Sequence, residues 1–357
     1  MNRYKYVFMI LILLFCYSVT SAQMKKKAKI ALIQATSTSI PDLFVDELDM
    51  NKIHQQMNLH IDKLLELFEE AGKLDADLVC GPEDMQHIGP YGLHVDVKDP
   101  KTGKVLFNSL AVPVPGPLTD RIAKIAKNNN MYIIAPLYEE EGKSVYNTAV
   151  IFDRQGNIIG KHRKTILPVM ETWLVDTGDE YKVYETDFAT IGIATCMEIN
   201  FPEIPSILAL NGADIIFNPT MAKDNLPGQS LETAPMFRTR ARDYSVYIVP
   251  VVLGKDGNGI IDFNGEIVAE SIGKENVVVM GEIDFSKERI AQSKWWESIN
   301  GTNNVKAMNL KLRRPEIFKV ISEPNPPSLG RYKDIHLTTG DIERQLKAVR
   351  EVDYGKK

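Results

Sequence analysis

Short apolar runs alternate with longer segments of helical period, and this alternation restricts the fold more than any single motif. Lys29-Ile-Ala-Leu-Ile-Gln-Ala35 is apolar and of strand length. From about Asn51 to Lys73, Ile53, Met57, Ile61, Leu64, Leu65 and Phe68 recur along one face of an amphipathic helix. Asp77-Leu-Val-Cys80 follows as a short buried strand, ended by Gly81-Pro82-Glu83. Strand, helix, strand is the unit of a sheet with parallel pairing and helices on its faces. The unit returns twice. A helix led in by Pro115–Asp120 and ending at Asn128-Asn-Asn130 precedes a strand at Met131–Tyr138. A strand at Ala213–Pro219 precedes a helix at Gln229–Asp243, with Pro235 near its start, and a strand at Tyr247–Leu253.

Two hairpins interrupt the series. One spans Tyr146–Lys164 around Gln155-Gly156-Asn157, and the other spans Gly259–Ala269 around Asn264-Gly265. Asn276–Asp284 closes the strand set. The expectation is an α/β fold of mixed sheets with helices packed outside, over residues 27–320. Pro-rich Glu323–Ser328 marks its end, and residues 321–357 form an extension. Ile342, Leu346, Val349 and Val352 share one face of a predicted terminal helix.

The N-terminus reads differently. A basic Asn2–Tyr6, an apolar Val7–Phe15 and small residues around Ala22 make a secretory signal peptide over residues 1–22, which predicts a periplasmic or secreted protein. The apolar run is shorter than the ~20 residues of a membrane span. Of three cysteines, Cys16 leaves with the signal, and Cys80 and Cys196 are too few for a disulfide framework. A net charge of −5 argues against a nucleic-acid partner.

Chemistry concentrates at strand ends, where open α/β sheets gather ligands. Thr190-Ile-Gly-Ile-Ala-Thr-Cys196 reads as a buried strand ending at a thiol, with a helix opening at Pro202. A thiol ahead of a helix N-terminus is placed to be a nucleophile, although a lone cysteine is more often a buried structural residue. Glu83 ends the strand from Asp77, and Lys164 ends the first hairpin. Strand alternation sets Lys164 on the face of His162, opposite Lys161 and Arg163. A thiol, a carboxylate and an ammonium converging on one crevice form an amide-hydrolysing set.

Three segments carry a resemblance: Leu78-Val-Cys-Gly-Pro-Glu83, Lys161-His-Arg-Lys-Thr-Ile-Leu167 and Cys196-Met-Glu-Ile-Asn-Phe-Pro-Glu203. Together with Asn218-Pro219, Arg240–Val249 and Arg313–Phe318, they resemble the carbon-nitrogen hydrolase (nitrilase) superfamily in order and spacing, from Lys29 to Phe318. The resemblance implies a four-layer α-β-β-α sandwich and a Glu83–Lys164–Cys196 triad, with no cofactor and no metal. Glu83 would be the base and acid, Lys164 and the Met197 backbone N–H the oxyanion donors, and Glu171 a second carboxylate orienting Lys164 or water. Trp173 and Asn218 are pocket candidates, and Glu198 is expected to cap or pair within the turn. Asp243 and Tyr244 depart from the family's Glu-Asn.

The implied reaction is hydrolysis of a small-molecule amide or N-carbamoyl group through a Cys196 thioester. A nitrilase activity is the alternative, and Met197, where nitrilases commonly carry Trp, weighs mildly against it. A non-catalytic ligand-binding protein on this fold is the rival of another class. Relatives imply a homodimer or higher homo-oligomer. Cys80 is expected to be an ordinary buried strand residue, and an inactivating Cys80–Cys196 disulfide is the alternative.

Overall fold

A computed structural model describes residues 25–36, 49–89, 95–221 and 230–332. The signal sequence and the terminal helix expected near residues 339–352 lie outside the described residues, as do residues 90–94 and 222–229.

The chain runs β1 (Lys27–Gln34), α1 (Met50–Lys73), β2 (Leu78–Cys80), α2 (Leu106–Leu110), β3 (Val112–Pro113), α3 (Pro117–Asn129), β4 (Tyr132–Glu141), β5 (Ser144–Phe152) and β6 (Ile158–Arg163). It continues through β7 (Val183–Glu185), β8 (Thr190–Ile193), α4 (Glu203–Leu210), β9 (Ile215–Thr220), α5 (Pro235–Tyr244), β10 (Tyr247–Val252), β11 (Asn258–Ile261), β12 (Ile267–Ser271) and β13 (Val277–Asp284), ending in α6 (Lys294–Asn300) and α7 (Val305–Leu312). One sheet has the order β13-β1-β2-β4-β5-β6, with β3 beside β4. The other has the order β12-β11-β10-β9-β8-β7.

Where a helix intervenes the strands pair in parallel, as in β1–β2, β2–β4, β8–β9 and β9–β10. Where a short turn intervenes they pair antiparallel, as in β4–β5, β5–β6 and β11–β12.

Three cores make the four layers. Between the sheets, Ile30, Leu32 and Ile134 of one meet Ile191, Phe217 and Val249 of the other. The outer face of the first sheet packs Ile33, Val79 and Ile133 against Leu64 and Phe68 of α1 and Ile122 of α3. The outer face of the second packs Ile216 and Ile248 against Leu208 of α4 and Phe237 of α5. Alternation along each strand therefore serves two cores, which is why its buried runs look continuous in the sequence.

Two boundaries differ from the sequence reading. The α5 helix starts at Pro235 rather than Gln229, because proline is preorganised for the first helical position and cannot donate inside a helix. The β8 strand stops at Ile193, three residues before the thiol, and Cys196 belongs to the following turn.

Candidate active site

Each strand end delivers one group to a common buried point. After β2, Gly81-Pro82 turns the chain and Glu83 is 2% exposed. Its Oε1 accepts from Lys164 Nζ (2.9 Å) and Asn147 Nδ2 (2.8 Å), and its Oε2 accepts from the Met221 backbone N–H (2.7 Å). Lys164 extends β6 by one residue, its N–H donating to the Asn147 carbonyl at 2.8 Å. The alternation holds: His162 and Lys164 are buried, while Lys161 and Arg163 pair with Glu139 on the other face.

Glu171 lies in a one-turn helix, Glu171–Trp173. Its Oε2 accepts from Lys164 (2.7 Å), and its Oε1 accepts from Asn147 Nδ2 (2.7 Å) and the Tyr138 hydroxyl (3.1 Å). The ammonium is thus clasped between two carboxylates. Burial alone would lower the Lys164 pKa, but Glu83, Glu171 and Cys196 outweigh it and raise the value above normal. This lysine stays charged.

Cys196 sits at φ 51, a left-handed conformation that costs a β-carbon residue about 1–2 kcal/mol. The thiol lies beside Glu83 and Thr220, and both act on its charge. Burial, with the nearby Glu83 carboxylate, pushes the thiol pKa up to about 12 against the opposing pull of Lys164 and Thr220. At neutral pH it carries its proton and needs a base to become a nucleophile. Cys196 opens a short 3-10 helix, Cys196–Asn200, in which the Glu198 N–H donates to the Thr195 carbonyl. The N–H groups of Cys196 and Met197 come before Glu198, the first intrahelical donor, and so have no acceptor within this short helix.

The turn is anchored from below. Glu198, wholly buried, accepts from the Thr195 N–H (2.6 Å), the Thr165 N–H (2.8 Å) and His162 Nε2 (2.8 Å). This is the capping and pairing expected of it.

The sequence profile of the carbon-nitrogen hydrolases matches residues 29–291. The chain belongs to the carbon-nitrogen hydrolase family. It is 28% identical over 241 residues to the N-carbamoylputrescine amidase of Solanum lycopersicum, covering 60% of this chain and 76% of that protein. It is 25% identical over 245 residues to an omega-amidase of Xenopus tropicalis, covering 63% and 83%. Among solved structures, an amidase from Nesterenkonia sp. AN1 superposes with a TM-score of 0.60 at 16% identity, over 84% of this chain and 98% of that one. A nitrilase-superfamily protein of Saccharomyces cerevisiae gives 0.55 at 21% identity, over 75% and 93%. The architecture is the nitrilase fold, and the chain is an amidase-like enzyme hydrolysing non-peptide carbon–nitrogen bonds.

Other residues of this carbon-nitrogen hydrolase have surroundings that the sequence alone did not specify. Asn218 lies against the Cys196 turn. It is fully buried, and its amide donates to the Ala194 (2.5 Å) and Cys196 (3.0 Å) carbonyls, which fixes the turn from the β9 side. Trp173 is half-buried next to Glu171, with its indole N–H buried and without a partner. Cys80 and Cys196 are both free thiols, so the disulfide is not formed. Cys80 belongs to the inter-sheet core, as its strand position implied. Among the described residues, no group of three or more His, Cys, Asp or Glu side chains could hold a metal ion.

Asn147 and Tyr138, opposite each other on β5 and β4, escaped the sequence reading. The signal was present: an asparagine inside an otherwise apolar strand must be hydrogen-bonded if buried.

Proposed function

We infer that Cys196 is the acyl-enzyme nucleophile of a small-amide or N-carbamoyl hydrolase, served by Glu83, Lys164 and Glu171. One observation carries this reading: the Cys196 thiol lies beside Glu83, and Glu83 also accepts a hydrogen bond from Lys164, a lysine held charged. Glu83 takes the thiol proton as sulfur attacks the amide carbon. Lys164 and the Met197 N–H stabilise the oxyanion, and removal of one such donor typically costs about 100- to 1,000-fold in rate. Glu83 then protonates the leaving amine or ammonia as the carbon–nitrogen bond breaks. Water, positioned by Glu171 and deprotonated by Glu83, cleaves the thioester and restores the thiol.

Relatives named as amidases support an amide or carbamoyl substrate. A relative from Nicotiana tabacum, 31% identical over 195 residues, is named a bifunctional nitrilase/nitrile hydratase, so nitriles belong in the same screen. Ammonia release across short amides, carbamoyl amines and nitriles will separate these classes. The Cys196→Ala variant is expected to fold and to release no ammonia, while mass spectrometry of the wild type shows an acyl adduct of one thiol. Full activity in that variant removes the reading.

Export rests on residues 1–22 and is tested by sequencing the N-terminus of the protein recovered outside the cytoplasm. A homo-oligomer would cover the exposed Phe201, Ile207 and Leu210 around α4 and is tested by light scattering.

A further inference from the structure

The two ends of the sandwich differ in what they offer a ligand. The β9 strand reaches Thr220 beside the Cys196 thiol at one end. At the other end it starts next to Asp214, which lines a separate cavity of about 400 Å³. Six residues of strand put about 20 Å between them. The volume falls in the range of small-molecule sites.

The cavity floor is aromatic. Phe188 and Phe285 stack at 6.1 Å between ring centroids, and Tyr247 meets Phe285 edge-on at 6.1 Å. A strap roofs it. The Val305 N–H donates to the Arg289 carbonyl and the Ala291 N–H to the Asn303 carbonyl, both at 2.8 Å, which draws the residues on either side of α6 together across the end of the sandwich.

The lining carries five cations against two carboxylates, in a protein whose net charge is −5. Some of these cations are already committed. Lys25 pairs with Asp77 at 2.8 Å, and Lys306 lies 3.7 Å from Asp214. Lys26 and Lys287 make no salt bridge among the described residues. A second observation is independent of charge. Ser245, 8% exposed, lines the cavity with its Oγ buried and without a hydrogen-bond partner. A buried hydroxyl left unpaired is costly, and an acceptor entering the cavity would pair it.

We propose that this cavity binds a small organic anion with a flat apolar body, the body on the Phe188–Tyr247–Phe285 floor and the anionic group between Lys26, Lys287 and the Ser245 hydroxyl. The chemistry of the floor calls for a ring or short chain, and the rim calls for a carboxylate or similar acid.

The test uses the full chain and 3-phenylpropionate as probe, followed by calorimetry and saturation-transfer NMR. Inorganic phosphate supplies charge without a ring, and benzyl alcohol a ring without charge. The probe is expected to bind at least about tenfold more tightly than either. Lys26→Glu with Lys287→Glu, both on the surface, should weaken it by about tenfold or more, and Ser245→Ala by a smaller factor. Thermal unfolding confirms that the variants fold. Alkylating Cys196 beforehand should leave binding intact. Absence of binding overturns the site. So does binding that Lys26→Glu/Lys287→Glu does not change, or binding that alkylation abolishes.

Discussion

At the end of β2, Asp84 sits at φ 61, and at the end of β8, Cys196 sits at φ 51. In each turn a wholly buried carboxylate ties down backbone N–H groups. Asp84 accepts from Ile88 (3.0 Å) and Gly89 (2.6 Å). Glu198 accepts from Thr195 and Thr165, and also from His162 Nε2, the Thr165 hydroxyl (2.9 Å) and the Tyr181 hydroxyl (3.1 Å). Burial pushes both carboxyls up, yet the outcomes diverge. For Glu198 the nearby His162 and the donors overcome burial and hold the pKa below normal. For Asp84 the two N–H donors do not, and the Glu83 and Glu171 carboxylates add to burial, so the pKa rises to about 8. Depth is equal in the two turns. The number of donors and the sign of the neighbours decide which carboxyl is charged.

The largest effect is expected on the charged side. Glu198→Ala strands His162 and two backbone N–H groups in the interior, and should cost about 3–5 kcal/mol in urea unfolding. Because these partners set the turn that carries the thiol, hydrolysis should fall with stability. Glu198→Gln keeps one acceptor oxygen and should recover part of both. A cost below about 1 kcal/mol for the alanine variant would remove the contrast between the turns.

Asp84→Asn probes the neutral side. Asparagine keeps the shape but loses one acceptor, a cost of about 1–2 kcal/mol at pH 6.5. The sharper signature is in pH. The folded pKa of about 8 lies above the ordinary 3.8, so folding binds a proton between those values. The contribution of Asp84 is complete below pH 3.8 and is lost as pH rises through 8. From pH 6.5 to 8 the wild type should lose about 2 kcal/mol that the variant does not. Parallel curves for the two proteins over that interval would mean that Asp84 is already ionised.

How far the sequence revealed this site follows from the range of each interaction. Strands, helices and hairpins were legible because two cores impose local periodicity, as the match of β4 and α1 to their apolar runs illustrates. Glu83, Lys164, Cys196 and Glu171 were legible as motif positions, and the structure brings all four together. What escaped depends on contacts across sheets. Asn147 bridges Glu83 and Glu171 because β5 pairs in register with β4. Asn218 reaches the Ala194 and Cys196 carbonyls because β9 pairs in register with β8. The strap over the far cavity joins residues 289 and 305, which no local pattern connects. The stop of β8 before Cys196 follows from Glu198 taking the Thr195 N–H, a local contact that the sequence offered as a capping possibility.

At neutral pH the smallest effect comes from the imidazoles, and it extends the same contrast. On the β8 side His162 has Glu198 for a partner. On the β2 side His60 of α1 is 1% exposed, lies against His87 at 4.9 Å between ring centroids, and has no partner for its Nε2. Burial, helped by His87, lowers its pKa from 6.5 to about 4. A histidine kept neutral by the fold contributes fully above pH 6.5, and that contribution is lost as pH falls toward 4, by up to about 3 kcal/mol. This slope has the opposite sign to that of Asp84 over the shared interval, so the two partly cancel in the wild type. His60→Leu fills the buried site without a titrating group. It should change stability little at pH 7 and make the protein less sensitive to acid between pH 6.5 and 4. Asp84→Asn should make it more sensitive over the same range, because the opposing slope is gone. Urea titrations at pH 7, 5.5 and 4.5 on both variants read the two slopes separately. If His60→Leu leaves the acid limb where it was, the β2 side does not hold its histidine neutral and the contrast stops at the carboxylates.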